Sequence, residues 1–158
     1  MKRVALLLLF IAIVAAAAYT GARYMPGAWY ASLAKPAWTP PNWLFGPVWT
    51  AIYLMIAVAG WLVWQSEEDA PATNDGQGAA KGLWIAQLAL NAAWSPTMFG
   101  AQHIGLALVI IGLMWLAIAA FIATTWSRRR IAAWLFVPYL AWVAYASALN
   151  FAIWRLNS

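Results

Sequence analysis

Five stretches of this chain, residues 4–24, 43–64, 82–99, 104–126 and 132–154, are almost uninterruptedly apolar. Each holds about 20 residues, which in a helix rising 1.5 Å per residue spans a hydrocarbon layer of roughly 30 Å. Charged residues make up only 8% of the chain, where water-soluble domains carry about a quarter. In lipid no water satisfies the peptide groups, so spans must be helices or a closed barrel, and these runs lack the alternation of barrel strands. The expectation is an all-α integral membrane protein: one transmembrane domain over 1–158, built as a bundle of five transmembrane helices.

The first stretch has a rival reading. Lys2 and Arg3, then Val4 to Val14 and Ala15 to Ala18, have the order of a cleavable signal peptide. Against this, the apolar run continues through Gly21 and Ala22, and Ala17 with Gly21 makes a small-xxx-small pair suited to helix packing. Lys2, Arg3, Lys81, Arg128, Arg129 and Arg130 fall on one side of the spans, and Arg23, Lys35 and Arg155 on the other. The positive-inside rule then puts the N-terminus in the cytoplasm of a bacterial cell. The same placement at span ends explains the net charge of +5 by headgroup anchoring and argues against nucleic acid.

Several chemistries find no support. The chain has no cysteine, so it has no disulfide or thiolate metal site, and its redox compartment stays open. No span carries Asp or Glu, which leaves proton-coupled transport without its usual relay. There is no metal-ligand cluster and no nucleophile paired with a base. His103 falls at a short interfacial turn, where solvation or capping is the expected role and haem ligation is not.

Two connections differ in kind. Residues 67–78 carry every acid in the chain, with Pro71, Asn74, Asp75 and Gly76, and read as a solvated flexible loop. Residues 25–42 interleave Pro26, Pro36, Pro40 and Pro41 with Trp29, Tyr30 and Trp38. Proline confines itself and its predecessor to extended or turn geometry, so this segment should be a stiff lid resting its rings on the end of the bundle. Pro96 and Pro138 should kink their helices. Gly105, Gly112 and Ala119, seven apart, should let the fourth span approach a neighbour closely.

The 13 tryptophans divide by depth. Trp43, Trp64, Trp84, Trp126, Trp134, Trp154 and, more loosely, Trp61 suit the interfacial belt, whereas Trp49, Trp94, Trp115 and Trp142 lie deeper and are candidates for a pocket. Counted from the lid side, Thr20, Trp49, Tyr53, Asn91, Trp94, Trp142, Tyr145, Ala146 and Asn150 all fall within about a dozen residues, or roughly 18 Å. Trp49 and Tyr53, Gln87, Asn91 and Ser95, and Trp142, Ala146 and Asn150 repeat at helical spacing, so three helices each offer an aromatic or polar stripe. Amides are costly in lipid, so Gln87, Asn91 and Asn150 should face inward, as interhelical bonds or ligand contacts. Convergent aromatics with few polar groups suit a flat apolar ligand.

The motifs Trp29-Tyr30, Lys35-Pro36-Ala37-Trp38-Thr39-Pro40-Pro41, Pro47-Val48-Trp49-Thr50 and the run Gln87 to Pro96 resemble the tryptophan-rich sensory proteins, or translocator protein (peripheral benzodiazepine receptor) family. Pro138 to Trp142 and Leu149 to Arg155 extend the resemblance over nearly the whole chain. It implies a five-helix bundle, often a homodimer, that binds porphyrins such as protoporphyrin IX and haem-type tetrapyrroles, isoquinoline carboxamide or benzodiazepine-type ligands, and in some members sterols. Porphyrin enters as ligand; no cofactor is required. By position, Tyr30, Pro40, Asn91, Trp94 and Ala146 match pocket-lining residues and Trp38 a lid residue. Trp49 and Trp142 match the tryptophans tied to light-dependent porphyrin degradation. The sterol pattern wants a tyrosine where Phe151 stands before Arg155, which argues against sterol. The expected function is thus a tetrapyrrole receptor or sensor, with a porphyrin-degrading enzyme and a porphyrin or sterol transporter as alternatives.

Overall fold

The computed structural model describes residues 2–69 and 77–158, with 66–69 and 77 described by their backbone alone. Most of the acidic connection expected at 67–78 therefore lies outside the described residues. Among the described residues the regular structure is helical throughout: α1 (Lys2–Arg23), α2 (Ala28–Ser32), a 3-10 turn (Asn42–Leu44), α3 (Phe45–Asp69), α4 (Gln77–Ser95), a π-helical turn (Pro96–Gly100), α5 (Ile104–Thr125) and α6 (Arg130–Asn157). The expected spans map onto α1, α3, α4 with its π turn, α5 and α6.

Four segments are long and apolar enough to cross a membrane: Lys2–Arg23, Asn42–Gln65, Ile104–Thr125 and Arg130–Asn157. The stretch 82–99 is not among them, which departs from the count of five. Lys81, Gln87, Asn91 and Ser95 dilute its apolar character. That polarity points inward, for Gln87 is wholly buried and Asn91 nearly so. The five long helices close a ring in the order α1, α3, α6, α5, α4, and α4 also touches α3 across it.

Close packing explains one departure from the belt assignment. Trp84 is 2% exposed, not interfacial, and its indole donates a 2.9 Å hydrogen bond to the Ile56 carbonyl. A Cβ at Gly60 would lie 2.6 Å from Trp84 Cε2 and 2.7 Å from Phe10 Cδ1, so only glycine lets α3 admit these two rings. The belt expectation does describe Trp43, Trp126, Trp134 and Trp154, all exposed at helix ends. Ala17 is buried, and a Cβ at Gly21 would meet Ser95 Oγ and Tyr53 Oη at ordinary contact distance, so that pair faces α3 and α4. The Gly105, Gly112 and Ala119 series is not one packing stripe. Gly105 faces Trp154, whereas a Cβ at Gly112 would meet nothing within 4 Å.

The two internal prolines act differently. At Pro96 the helix widens: Ala101 N–H bonds the Pro96 carbonyl at 2.8 Å, five residues back, before Gln102 turns left-handed at φ 59°. At Pro138, α6 continues as helix. His103 stands exposed before α5 and makes no side-chain cap.

Candidate functional site

On α3, Phe45, Trp49 and Tyr53 recur every four residues and share a face. On α6, Tyr139, Trp142 and Ala146 do the same at spacings of three and four. The two stripes meet: Trp49 stacks on Tyr53 with ring centroids 5.4 Å apart and sets its edge to Tyr139 at 6.2 Å, while Trp142 meets Phe45 at 5.8 Å and Tyr145 at 5.7 Å. Trp49, Trp142 and Ala146 are half-buried and pack against one and the same core.

A polar chain runs under these rings. Tyr53 donates to Asn91 Oδ1 at 2.9 Å, Asn91 Nδ2 donates to Tyr139 Oη at 2.9 Å, and Tyr139 points its hydrogen at Met114 Sδ, 3.3 Å away. Asn91 thereby ties α3, α4 and α6 together. One turn further, Trp94 donates to Asn150 Oδ1 at 3.2 Å, and Asn150 Nδ2 donates to the Ile104 carbonyl at 3.1 Å. Both asparagines face inward, as their cost in lipid demands. Among the described residues three buried side-chain polar atoms are left without partners: Gln87 Oε1, Trp115 Nε1 and Trp142 Nε1.

The segment 25–42 does rest on the end of the bundle, although it includes the short helix α2, which the proline argument did not anticipate. Between Pro26 and Pro36 no proline interrupts the chain, so one turn of helix can form. Tyr30 is buried beside Met98, Leu149 and Ile153 and meets Phe99 edge-on at 5.3 Å, and Phe99 meets Trp94 at 5.5 Å. Burial, reinforced by the nearby Tyr145, pushes the Tyr30 phenol above its ordinary pKa. Lys35 Nζ donates to the Tyr30, Ala31 and Leu33 carbonyls at 2.6, 3.1 and 2.9 Å and so closes the C-terminal end of α2. The Asn157 side chain accepts from Ala34 N–H at 3.0 Å and donates to the Ala34 carbonyl at 2.9 Å. Trp38, 48% exposed, lies edge-on to Tyr145, whose hydroxyl donates to the Trp38 carbonyl at 2.8 Å. Pro40 is half-buried in the same segment.

The structure thus gathers Trp49, Tyr53 and Asn91 in one group, Trp38 and Trp142 in a second, and Tyr30 and Trp94 in a third. Trp94 packs against the cores on both sides of it. Trp115 departs from expectation. It lines an open groove of about 580 Å³ between α5 and α6, with Leu108, Gly112 and Ser147, away from these rings. A second groove of about 440 Å³ lies between α1 and α4 against Phe10, Trp84 and Leu88. Neither groove is lined by Trp49, Trp94 or Trp142, and beneath the lid the aromatic rings rest on one another. Tyr139, Phe45 and Phe99 are the members of the site that sequence reasoning overlooked. The spacing of Tyr139 three before Trp142, and of Phe45 four before Trp49, was the available signal.

Residues 4–155 match the model of the TspO/MBR family. The chain is 41% identical to the tryptophan-rich sensory protein of Cereibacter sphaeroides over 97% of its own length and 92% of the relative's. It is 39% identical to protein CrtK of Rhodobacter capsulatus, over 90% and 87%. Against the human translocator protein identity is 39%, over 88% and 82%. Together with the four apolar helices, these similarities mark an integral membrane protein, and the chain belongs to the TspO/MBR family.

Proposed function

We propose that this chain is a membrane receptor for porphyrins, protoporphyrin IX and haem-type tetrapyrroles among them, and for isoquinoline carboxamide or benzodiazepine-type ligands. In this reading α4 with its π turn is the fifth span, and the N-terminus is cytoplasmic. The ligand sits beneath the 25–42 lid between the stripes of α3 and α6, against Trp49, Tyr53, Asn91, Trp94, Trp142 and Ala146, with Tyr30, Trp38 and Pro40 above it.

One observation carries the reading. The Trp142 indole N–H, like that of Trp115, is buried without a partner, and of these two it is Trp142 that meets the Phe45 and Tyr145 rings, whereas the N–H groups of Trp84 and Trp94 are satisfied within the protein. An unpaired buried donor is costly, so it favours a ligand that brings an acceptor among rings that supply stacking. Because those rings touch in this structure, binding parts them. The names of the relatives, a sensory protein and a translocator protein, agree with small-molecule recognition in a membrane.

The test is quenching of tryptophan fluorescence by protoporphyrin IX in the reconstituted chain. Trp49→Phe with Trp142→Phe should weaken binding by tenfold or more, on the order of one lost hydrogen bond plus stacking. Unchanged affinity and stoichiometry in that double variant would place the ligand elsewhere.

Light-dependent degradation of the porphyrin is a second reading, favoured by the contact of Trp49 with both Tyr53 and Tyr139, which offers neighbouring electron donors to an oxidised indole. It requires protein-dependent loss of porphyrin absorbance under light, absent from detergent alone and from the double variant.

A further inference from the structure

The turn between α5 and α6 has no part in the proposed ligand site, yet it concentrates the densest positive charge in the chain. Arg128, Arg129 and Arg130 are consecutive, and both Arg128 N–H and Arg129 N–H bond to the carbonyl of buried Thr125, at 3.2 and 2.7 Å. That pair of hydrogen bonds holds the turn tight against the bundle, with Arg128 and Arg130 exposed and Arg129 half-buried.

Two tryptophans flank the turn. Trp126 and Trp134 pair with ring centroids 5.4 Å apart, both exposed, and the Arg130 guanidinium carbon lies 6.0 Å from the Trp126 ring centroid. Exposed indoles at the ends of two membrane-crossing helices sit at headgroup depth, with their rings toward acyl chains and their N–H groups toward water. The arginines beside them are therefore level with lipid phosphates. A planar guanidinium fork binds a phosphate through paired hydrogen bonds and is weakly hydrated, which suits it to this depth better than an ammonium.

We propose that the Trp126 to Arg130 turn, with Trp134, is a docking surface for the headgroup of an anionic phospholipid. The lipid's phosphate meets the guanidinium groups and its upper acyl chains lie along the two indoles. An anionic headgroup is favoured over a zwitterionic one because three adjacent guanidinium groups repel the ammonium that a zwitterionic headgroup brings beside its phosphate. The occupant is a lipid and not a soluble polyanion, because the aromatic shelf continues directly from the charges.

The full chain, reconstituted in phosphatidylcholine vesicles, tests this through electron paramagnetic resonance of chain-labelled phosphatidylglycerol and phosphatidylcholine. The relative association of the two lipids with the protein is the readout. The unmodified chain should prefer phosphatidylglycerol, and high salt should reduce the preference only in part, because paired hydrogen bonds at a desolvated surface are screened less than a diffuse field. R128Q/R129Q/R130Q should lower it by about fivefold or more, about fivefold being the effect of one basic residue near an anionic surface. R128K/R129K/R130K keeps the charge and the orientation but loses the fork, and should give an intermediate preference. Arg23→Gln, at the opposite end of the bundle, should change nothing. Equal preference in the unmodified and triple-Gln chains overturns the proposal, as does its complete loss at high salt. If the Gln variant does not insert, a Lys variant indistinguishable from the unmodified chain overturns it. Displacement of the preference by inorganic phosphate at constant ionic strength would assign the surface to a soluble anion instead. None of these readouts depends on porphyrin binding, so the two proposals fail separately.

Discussion

Tyr53 on α3 donates its phenolic hydrogen to Asn91 on α4 across 2.9 Å, and the same carboxamide donates onward to Tyr139 on α6. Removing the amide leaves the Tyr53 hydroxyl without its acceptor and the Tyr139 hydroxyl without its donor in a layer without water. Polar contacts between membrane helices contribute about 0.6 kcal/mol on average and up to about 1.7. Asn91→Leu, which breaks two of them, should cost about 1–3 kcal/mol, and Tyr53→Phe about 0.6. Thermal unfolding in detergent followed by tryptophan fluorescence checks the order.

The contact at Gly60 predicts a steric cost with a built-in control. Gly60→Ala pushes a methyl into the Trp84 and Phe10 rings, and overpacking of this kind costs about 1–3 kcal/mol. Gly112→Ala adds the same methyl where nothing lies within 4 Å. The first should lower the unfolding temperature and the second leave it unchanged or raise it.

Trp142 and Trp84 should respond in opposite ways to the same substitution. Trp84→Phe removes a buried hydrogen bond to the Ile56 carbonyl and leaves space in the core, and should destabilise the chain by about 1–3 kcal/mol, whereas Trp142→Phe removes a donor that has no partner and should be nearly neutral without ligand. A neutral Trp142→Phe that also loses protoporphyrin IX would separate binding from folding.

The lid offers a measurement on one amide. Ala34 N–H is bonded to Asn157 across the chain, so Asn157→Ala should speed its hydrogen exchange by about fivefold, in line with one hydrogen bond near 1 kcal/mol. Exchange of the buried helices should stay as it was.

Tyr30 makes lid docking pH-dependent. Its folded pKa is raised above 10.0, so in the unfolded chain the phenol ionises first. The stability from the docked ring is complete below pH 10.0 and is lost as pH rises through the folded value. Unfolding temperatures compared between the unmodified chain and Tyr30→Phe should therefore move in favour of the variant above that pH.

Helix positions were legible because apolar run length and lipid thickness leave few alternatives. Asn91 and Asn150 could be placed inward from their cost in lipid alone. The location of Trp84 and Trp115 was not legible, because depth along a helix says nothing about azimuth. Trp84 turns into the core where Gly60 makes room, and Trp115 turns out to the α5 and α6 groove. The short helix α2 was hidden by the prolines that flank it. The π turn after Pro96 was not legible either, since Pro138 lacks the same N–H and yet lies within a continuous α-helix.

Lys35 has three ammonium hydrogens, and three carbonyls of its own segment take them. Neutral carbonyls leave the positive charge of Lys35 intact while occupying the hydrogens that would direct it. On the proposed receptor reading, a carboxylate brought to the cap is drawn by that charge without gaining a hydrogen bond from it, so the lysine attracts an acid but does not fix where it sits.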